Sequence, residues 1–203
     1  MTAPANLGPV PWRFQFLDPG VLRDGELELV TPRPELVEQV VRSEPDERAD
    51  RVRAAALAMA TAGGRERGAP LNLGGLVPAY HFWMKLHATA ERGVPPVPIA
   101  GGIGLRIGTT RDLRLYSGHV GYHVHRPARG HSYAARSLRL LLPLAKAHGL
   151  TELFITANPE NAASRRSIEK AGGEYLETVR VPRRHPLHRR GEPLKARYRI
   201  GLT

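Results

Sequence analysis

The residues with the clearest chemistry are Arg129-Gly130-His131-Ser132, a compact turn placed directly before a helical pattern that opens at Tyr133-Ala134. A glycine turn feeding a helix start converges several backbone N–H groups on one point, where the partial positive charge of the helix end favours a phosphate. Further along, Asn158-Pro159-Glu160-Asn161-Ala162-Ala163-Ser164 opens a second helix and sets amide and hydroxyl side chains opposite that turn. Together the two segments suit a long phosphorylated ligand. Between Gly118 and Arg126 lie three imidazoles, His119, His123 and His125, at alternating positions that share one face of an unbulged strand. An imidazole titrating near about 6.5 is suited to taking a proton from an ammonium group, directly or through water. The same row would admit a metal, but no carboxylate pair or cysteine pattern accompanies it, and no metal site is expected.

The elements that must position these residues are legible as an α/β pattern. Glu26–Val30 alternates as a strand, Thr31-Pro32 signals a helix start, and Leu36, Val37, Val40 and Val41 form an apolar stripe over 34–43. A second, alanine-rich helix is expected over 51–61, followed by a glycine- and proline-interrupted loop over 63–78. Strands follow at 79–84, 97–107 and 113–125, the last two joined as a hairpin across Gly108-Thr109-Thr110-Arg111-Asp112. The pattern then changes to helix, strand, helix, strand, which requires a crossover and a locally parallel strand pair. Ala134, Leu138, Leu141 and Ala145 line one face of the helix over 133–148, with Pro143 expected to kink it or end it early and Gly149 to stop it. Leu153-Phe154-Ile155 reads as a buried strand centre, Asn161 as a helix cap, and 174–181 and 195–202 as the closing strands. A basic loop, Arg183-Arg184-His185-Pro186-Leu187-His188-Arg189-Arg190-Gly191, joins those two.

Composition narrows the function classes. With 203 residues and 41% hydrophobic content, one domain is expected over 26–203, preceded by an irregular arm over 1–25. The absence of cysteine excludes disulfides, a thiolate metal site and an enzyme-thiol intermediate. No apolar run approaches the roughly 20 residues of a membrane helix, so a cytoplasmic protein without a membrane partner is expected, as a monomer or homodimer. The net charge of +11 favours polyanions or phosphorylated ligands.

The segment from Leu113 to Gly173 resembles the GNAT superfamily of acyl-CoA-dependent N-acyltransferases, whose motif Q/R-x-x-G-x-G/A is matched at Arg129, Ser132 and Ala134. His119-Val120-Gly121-Tyr122, Arg129 to Ala134, Asn161 to Ser164 and Glu169-Lys170-Ala171-Gly172-Gly173 occur in that family's order. With the strands from Tyr80 onward, the resemblance spans about the last two-thirds of the chain. It implies a mixed, mostly antiparallel twisted sheet flanked by helices, with a splayed parallel strand pair at the cofactor site. It further implies acetyl-CoA as cofactor and direct acetyl transfer to a primary amine of a small molecule or peptide in a ternary complex.

The resemblance also distributes roles. Gly130, His131, Ser132, Tyr133 and Ala134, with Arg129, would hold the pyrophosphate. The strand edge at Tyr122, Val124 and Arg126 would bind the pantetheine arm, and Asn158, Asn161 and Arg165 would complete the cofactor site, Arg165 toward its 3′-phosphate. His119 stands where relatives carry a carboxylate and is the expected base. The thioester would lie near Tyr122, and Ser164 is the expected acid, because Ile168 replaces the tyrosine that many members use. Ser132 replaces a usual glycine, which is tolerable if Ser132 stays helical and donates its hydroxyl. Two other functions remain open from sequence: a nucleic-acid-binding protein using the basic hairpin 183–190 with Lys195 and Arg197, and an acyl-CoA-binding module without catalysis.

Overall fold

The computed structural model describes residues 14–44, 49–63, 65–69, 77–87 and 93–202. Residues 1–13 of the expected arm and 64 and 70–76 of the expected loop over 63–78 lie outside them. Nine strands and five helices follow in order among the described residues: β1 (Leu22–Asp24), β2 (Leu27–Val30), α1 (Val37–Ser43), α2 (Ala49–Thr61), β3 (Arg65–Ala69), β4 (Val77–Leu86), β5 (Ile99–Arg106), β6 (Val120–Val124), α3 (Tyr133–Ala147), β7 (Glu152–Ala157), α4 (Ala162–Lys170), β8 (Glu174–Arg180), α5 (Pro186–Arg189) and β9 (Leu194–Gly201). Leu22–Asp24 of the expected arm is thus an edge strand, in register with β2 from Leu22 opposite Leu29 to Asp24 opposite Leu27.

One sheet runs β1-β2-β4-β5-β6, with β3 also on β4, and a second runs β7-β9-β8. Every ladder in both is antiparallel. β4 is central and its Val77-Pro78-Ala79-Tyr80 and Phe82-Trp83-Met84 are buried, which explains a run too apolar for a half-exposed strand. β6 and β7, joined by the α3 crossover, share no ladder. The sheet parts between them, and that parting positions the site.

Helix α3 closes the parting from one side. Ala134, Leu138, Leu141 and Ala145 are buried on its inner face, as the spacing predicts. Pro143 does not end it, because it sits on the exposed face, where water can satisfy the carbonyl that loses its partner. Gly149, at φ +77°, then reverses the chain, and Leu150 N–H donates to the carbonyl of Ala145. On α3's first turns Arg136 reaches Asp24 (2.7 Å) and Glu26 (2.6 Å), tying the N-terminal hairpin to the helix. That guanidinium holds the Glu26 carboxyl at a pKa of about 2, well below the usual carboxylate range.

The expected strand over 113–125 is two things. Leu113–Ser117 is a π-helical turn, with Gly118 N–H donating to the carbonyl of Leu113, and the strand begins only at Val120. The alternation of Leu113 and Leu115 imitates a strand, but Asp112 imposes the turn. One Asp112 oxygen accepts from Ser117 Oγ (2.6 Å) and the other lies 2.5 Å from His185 Nε2. The buried His185 therefore pins the basic loop, which folds into α5, to this turn.

Candidate active site

The direction of β6's backbone groups follows from its two flanking hydrogen bonds. Arg106 N–H donates to His119 O and His125 N–H to Ala100 O, both at 2.8 Å, so the odd-numbered residues turn their amides toward β5. Tyr122 and Val124 therefore turn theirs the other way, into the parting. At the closed end His119 N–H donates to Phe154 O (2.7 Å). The chains approach so closely there that a Cβ on Gly118 would lie 3.1 Å from Thr156 N. Beyond that clamp the parting widens into a groove of about 440 Å³. β6 lines it with Tyr122, His123 and Val124, the following turn with Ala128, Arg129, Gly130 and Ser132, α3 with Tyr133 and Ala134, and α4's start with Asn161, Ala163, Ser164 and Ser167.

The turn at its head is held open by two left-handed residues. Gly130 has φ +92°, and Ser132, the sole non-glycine among the described residues with positive φ, has φ +60° and ψ +19°. Ser132 is thus not helical, and the condition on which it could replace glycine without strain is not met. Its hydroxyl does not cap α3 but accepts from Lys170 Nζ at 3.1 Å. The position wants the glycine that the motif usually carries. Ser132→Gly should stabilise the fold by about 1 kcal/mol by removing the left-handed penalty. Urea denaturation checks this, and an unchanged or lowered midpoint contradicts it.

Five of the expected residues lie elsewhere. His119 is 2% exposed and lines neither cavity; its Nδ1 accepts from Phe154 N–H (2.9 Å) and its Nε2 lies 2.9 Å from Gly108 O. Both ring nitrogens are spent on backbone, and the ring clamps the closed end. Burial holds its pKa below the ordinary value. The folded imidazole is neutral while the unfolded one gains a proton below about pH 6.5, so stability should fall as pH drops below that value. His119→Ala should cost about 2–4 kcal/mol by orphaning both backbone groups, and denaturation at two pH values should show a smaller acid loss in the variant than in the native chain.

The other four are displaced for separate reasons. Arg126 is exposed in a 3₁₀ turn past the end of β6, and His131 is exposed and stacks on the Tyr133 ring. Asn158 Oδ1 accepts from the buried Lys195 Nζ at 2.7 Å. Arg165 donates to Tyr198 Oη (2.8 Å) and lies over the Tyr175 ring, on the side of α4 facing β8 and β9. Tyr133 is in the groove wall, yet its ring is 2% exposed and faces the Glu26–Arg136 pair. Lys195 and Arg197 also leave the basic cluster: Lys195 bonds Glu192, and Arg197 bonds Glu177 and the Arg114 carbonyl.

Ser164 and Tyr122 do come together. Tyr122 Oη lies 2.9 Å from Ser164 Oγ and donates to the Ser164 carbonyl (3.1 Å), spanning from β6 to α4. Burial pushes the Tyr122 pKa up, which keeps the phenol protonated. Asn161 Oδ1 accepts from Ser164 N–H (3.0 Å) and fixes that serine at the helix start. Ile168 is fully buried, so α4 offers no donor there.

A second cavity, of about 230 Å³, was not anticipated. It lies over β4, β5 and β6, with His81 and Trp83, Gly102, Gly104 and Arg106, and Gly121 among its lining, and Met59 of α2 as a wall. In register, Trp83 opposes Gly102 opposes His123, and His81 opposes Gly104 opposes Gly121. The glycines make the hollow: a Cβ on Gly102 would stand 2.9 Å from His123 Cε1, and one on Gly104 3.1 Å from His81 Nδ1. Alternate glycines inside an otherwise apolar strand were the available signal, since they mark a close approach. Tyr122 and His123 line both cavities.

Comparison with known proteins agrees with this architecture. A family model described as an acetyltransferase (GNAT) domain matches residues 27–174. No curated protein sequence matches the chain. Among solved structures, a GNAT-family acetyltransferase from Bacillus anthracis superposes with a TM-score of 0.58 at 14% identity, over 89% of this chain and 98% of that one. The microcin C7 self-immunity acetyltransferase MccE, in complex with acetyl-CoA and AMP, gives 0.58 at 10% identity over 89% and 94%. RimL, a ribosomal L7/L12 alpha-N-protein acetyltransferase in complex with coenzyme A, gives 0.56 at 12% over 90% and 98%. These similarities carry the fold, and the family match spans more than half of the sequence. Two antiparallel sheets parted beside a crossover helix, a left-handed turn at that helix's start and a domain match over the same residues together place the chain in the GNAT acetyltransferase family.

Proposed function

We propose that the chain transfers an acetyl group from acetyl-CoA to a primary amine of a small molecule or peptide, by direct attack in a ternary complex. One observation carries this reading: two cavities lie on either side of β6 and meet at Tyr122 and His123. Donor and acceptor can therefore enter separately and react at a shared wall.

The groove fits the cofactor. Gly130 turns its backbone into space that no neighbouring atom occupies within 4 Å of a built Cβ. The α3 start, Arg129 and Lys170 supply positive charge beside it for a pyrophosphate. The outward backbone groups of Tyr122 and Val124 form an edge on which an amide-bearing arm can lie as an added strand. Arg129 Nε donates to Val124 O (3.1 Å), so one acceptor of that edge is already shared with the turn. When bound, acetyl-CoA supplies the activated acyl group.

The chain's own groups orient and move protons. Tyr122 and Ser164, coupled at 2.9 Å, can deliver a proton to the departing sulfur, with one hydroxyl replenishing the other. A chain without cysteine has no thiol to carry the acetyl group, in keeping with a single direct transfer. The test is CoA-thiol release from acetyl-CoA over a panel of amines: alanyl and seryl tripeptides, lysine and spermidine. Amine-dependent release with intersecting initial-rate lines is expected. Parallel lines would contradict the ternary complex, and binding of acetyl-CoA without release to any amine would leave a binding module.

A further inference from the structure

The loss of His119 to the core leaves the acceptor cavity in need of another proton acceptor, and the register supplies one. We propose that His123 is the base that takes the acceptor ammonium's proton, with His125 and Glu44 behind it as positioning residues; this rests on the acetyl-transfer reading above. His123 is the one imidazole that lines both the cofactor groove and the second cavity. Its ring stands over Gly102, where any side chain would occupy the same space. A residue in contact with both chambers is the one able to meet an amine at the moment it faces the thioester.

The ring is held from behind. His125, two residues on and on the same face, meets it edge-on with centroids 5.3 Å apart and planes at 73°. His125 is 4% exposed, and its Nδ1 lies 2.6 Å from a Glu44 carboxylate oxygen at the end of α1. The charged and titratable groups around His123 are therefore His81 from β4, Arg106 from β5, Tyr122 and His125 on β6, Arg129 in the following turn and Glu44 after α1. Partial desolvation of the ring between the two cavities, then the neighbouring His125, lowers the His123 pKa although the residue keeps an exposed edge, and Glu44 opposes both. The net direction leaves a neutral imidazole with a free lone pair at neutral pH.

The protons balance as follows. The ammonium gives one proton to His123, which passes it to solvent, since the side chain is exposed at the cavity mouth. The freed amine forms the C–N bond as the C–S bond breaks. The second proton, lost from nitrogen as the amide forms, replaces the one given to sulfur by the Tyr122–Ser164 pair.

The experiment uses the full chain. With the fastest amine of the panel, His123→Gln should lower kcat about 100-fold, leave KM for acetyl-CoA within about twofold, and abolish the acid limb of the kcat/KM profile. Glu44→Gln should move that limb to lower pH, because it removes the charge that favours the imidazolium. A His123→Gln variant with the native acid limb and kcat overturns the assignment while leaving acetyl transfer intact. An NMR titration of the His123 Cε1–H signal gives a readout without turnover. Titration below about 6.5, shifted down further by Glu44→Gln, supports the proposal; titration at or above that value overturns it. If the native chain releases no thiol with any amine, it is the acetyl-transfer reading that fails.

Discussion

Replacing Gly102 with valine is expected to lower kcat/KM for the amine about 1000-fold while acetyl-CoA binds as before. The built Cβ alone would lie 2.9 Å from His123 Cε1, and the two γ-methyls would extend into a cavity of only about 230 Å³. The His123 ring is the part able to move, so it swings out of the space between the chambers while the acceptor slot fills. Misplacing a reacting group by about 1 Å costs on the order of 100-fold, and losing the amine's room adds to that. Gly102 is absent from the cofactor groove, which is why calorimetry should return a native affinity for acetyl-CoA. Amine turnover within about tenfold of native would show that the acceptor does not use this hollow.

The second large effect concerns the cradle. Gly130→Val should weaken CoA binding roughly ten- to hundredfold, from about 1–3 kcal/mol of backbone strain at φ +92°. No atom lies within 4 Å of the built Cβ, so the penalty is conformational and not a clash. A β-branched residue cannot hold that conformation, and the turn must relax to one that no longer aims its N–H groups at the groove. Because the turn is exposed, far-UV circular dichroism should be native. An unchanged CoA affinity would mean that these amides do not grip the cofactor.

Much of this site was legible in the residues. The order of turn, helix, strand and capped helix from Arg129 to Lys170 holds, because each step is written locally: a glycine turn, a 3.6-residue apolar stripe, an asparagine cap whose Oδ1 takes Ser164 N–H. What sequence reasoning misassigned depends on tertiary partners. Leu113-Arg114-Leu115 alternates as a strand would, and only the Asp112 bonds to Ser117 and His185, the latter distant in sequence, make it a π-helical turn. That turn removes His119 from the strand, so its parity with His123 and His125 carried no functional meaning. The resemblance puts Arg165 and Asn158 at the cofactor, whereas Tyr198 and Lys195 of β9 decide where they point. The second cavity escaped notice because it is built by missing side chains on two strands, and a glycine in a strand announces space only once its neighbours are known.

The central claim is that the parting between β6 and β7 holds the cofactor with its thiol end at Tyr122. A crystal structure of the chain with coenzyme A tests it most directly. The expected result is a pyrophosphate against the Gly130–Ser132 turn, the pantetheine arm along the outward edge of Tyr122 and Val124, and the sulfur beside the Tyr122–Ser164 pair. Coenzyme A bound elsewhere, with Tyr122 still bonded to Ser164 across a groove empty of ligand, would contradict the account.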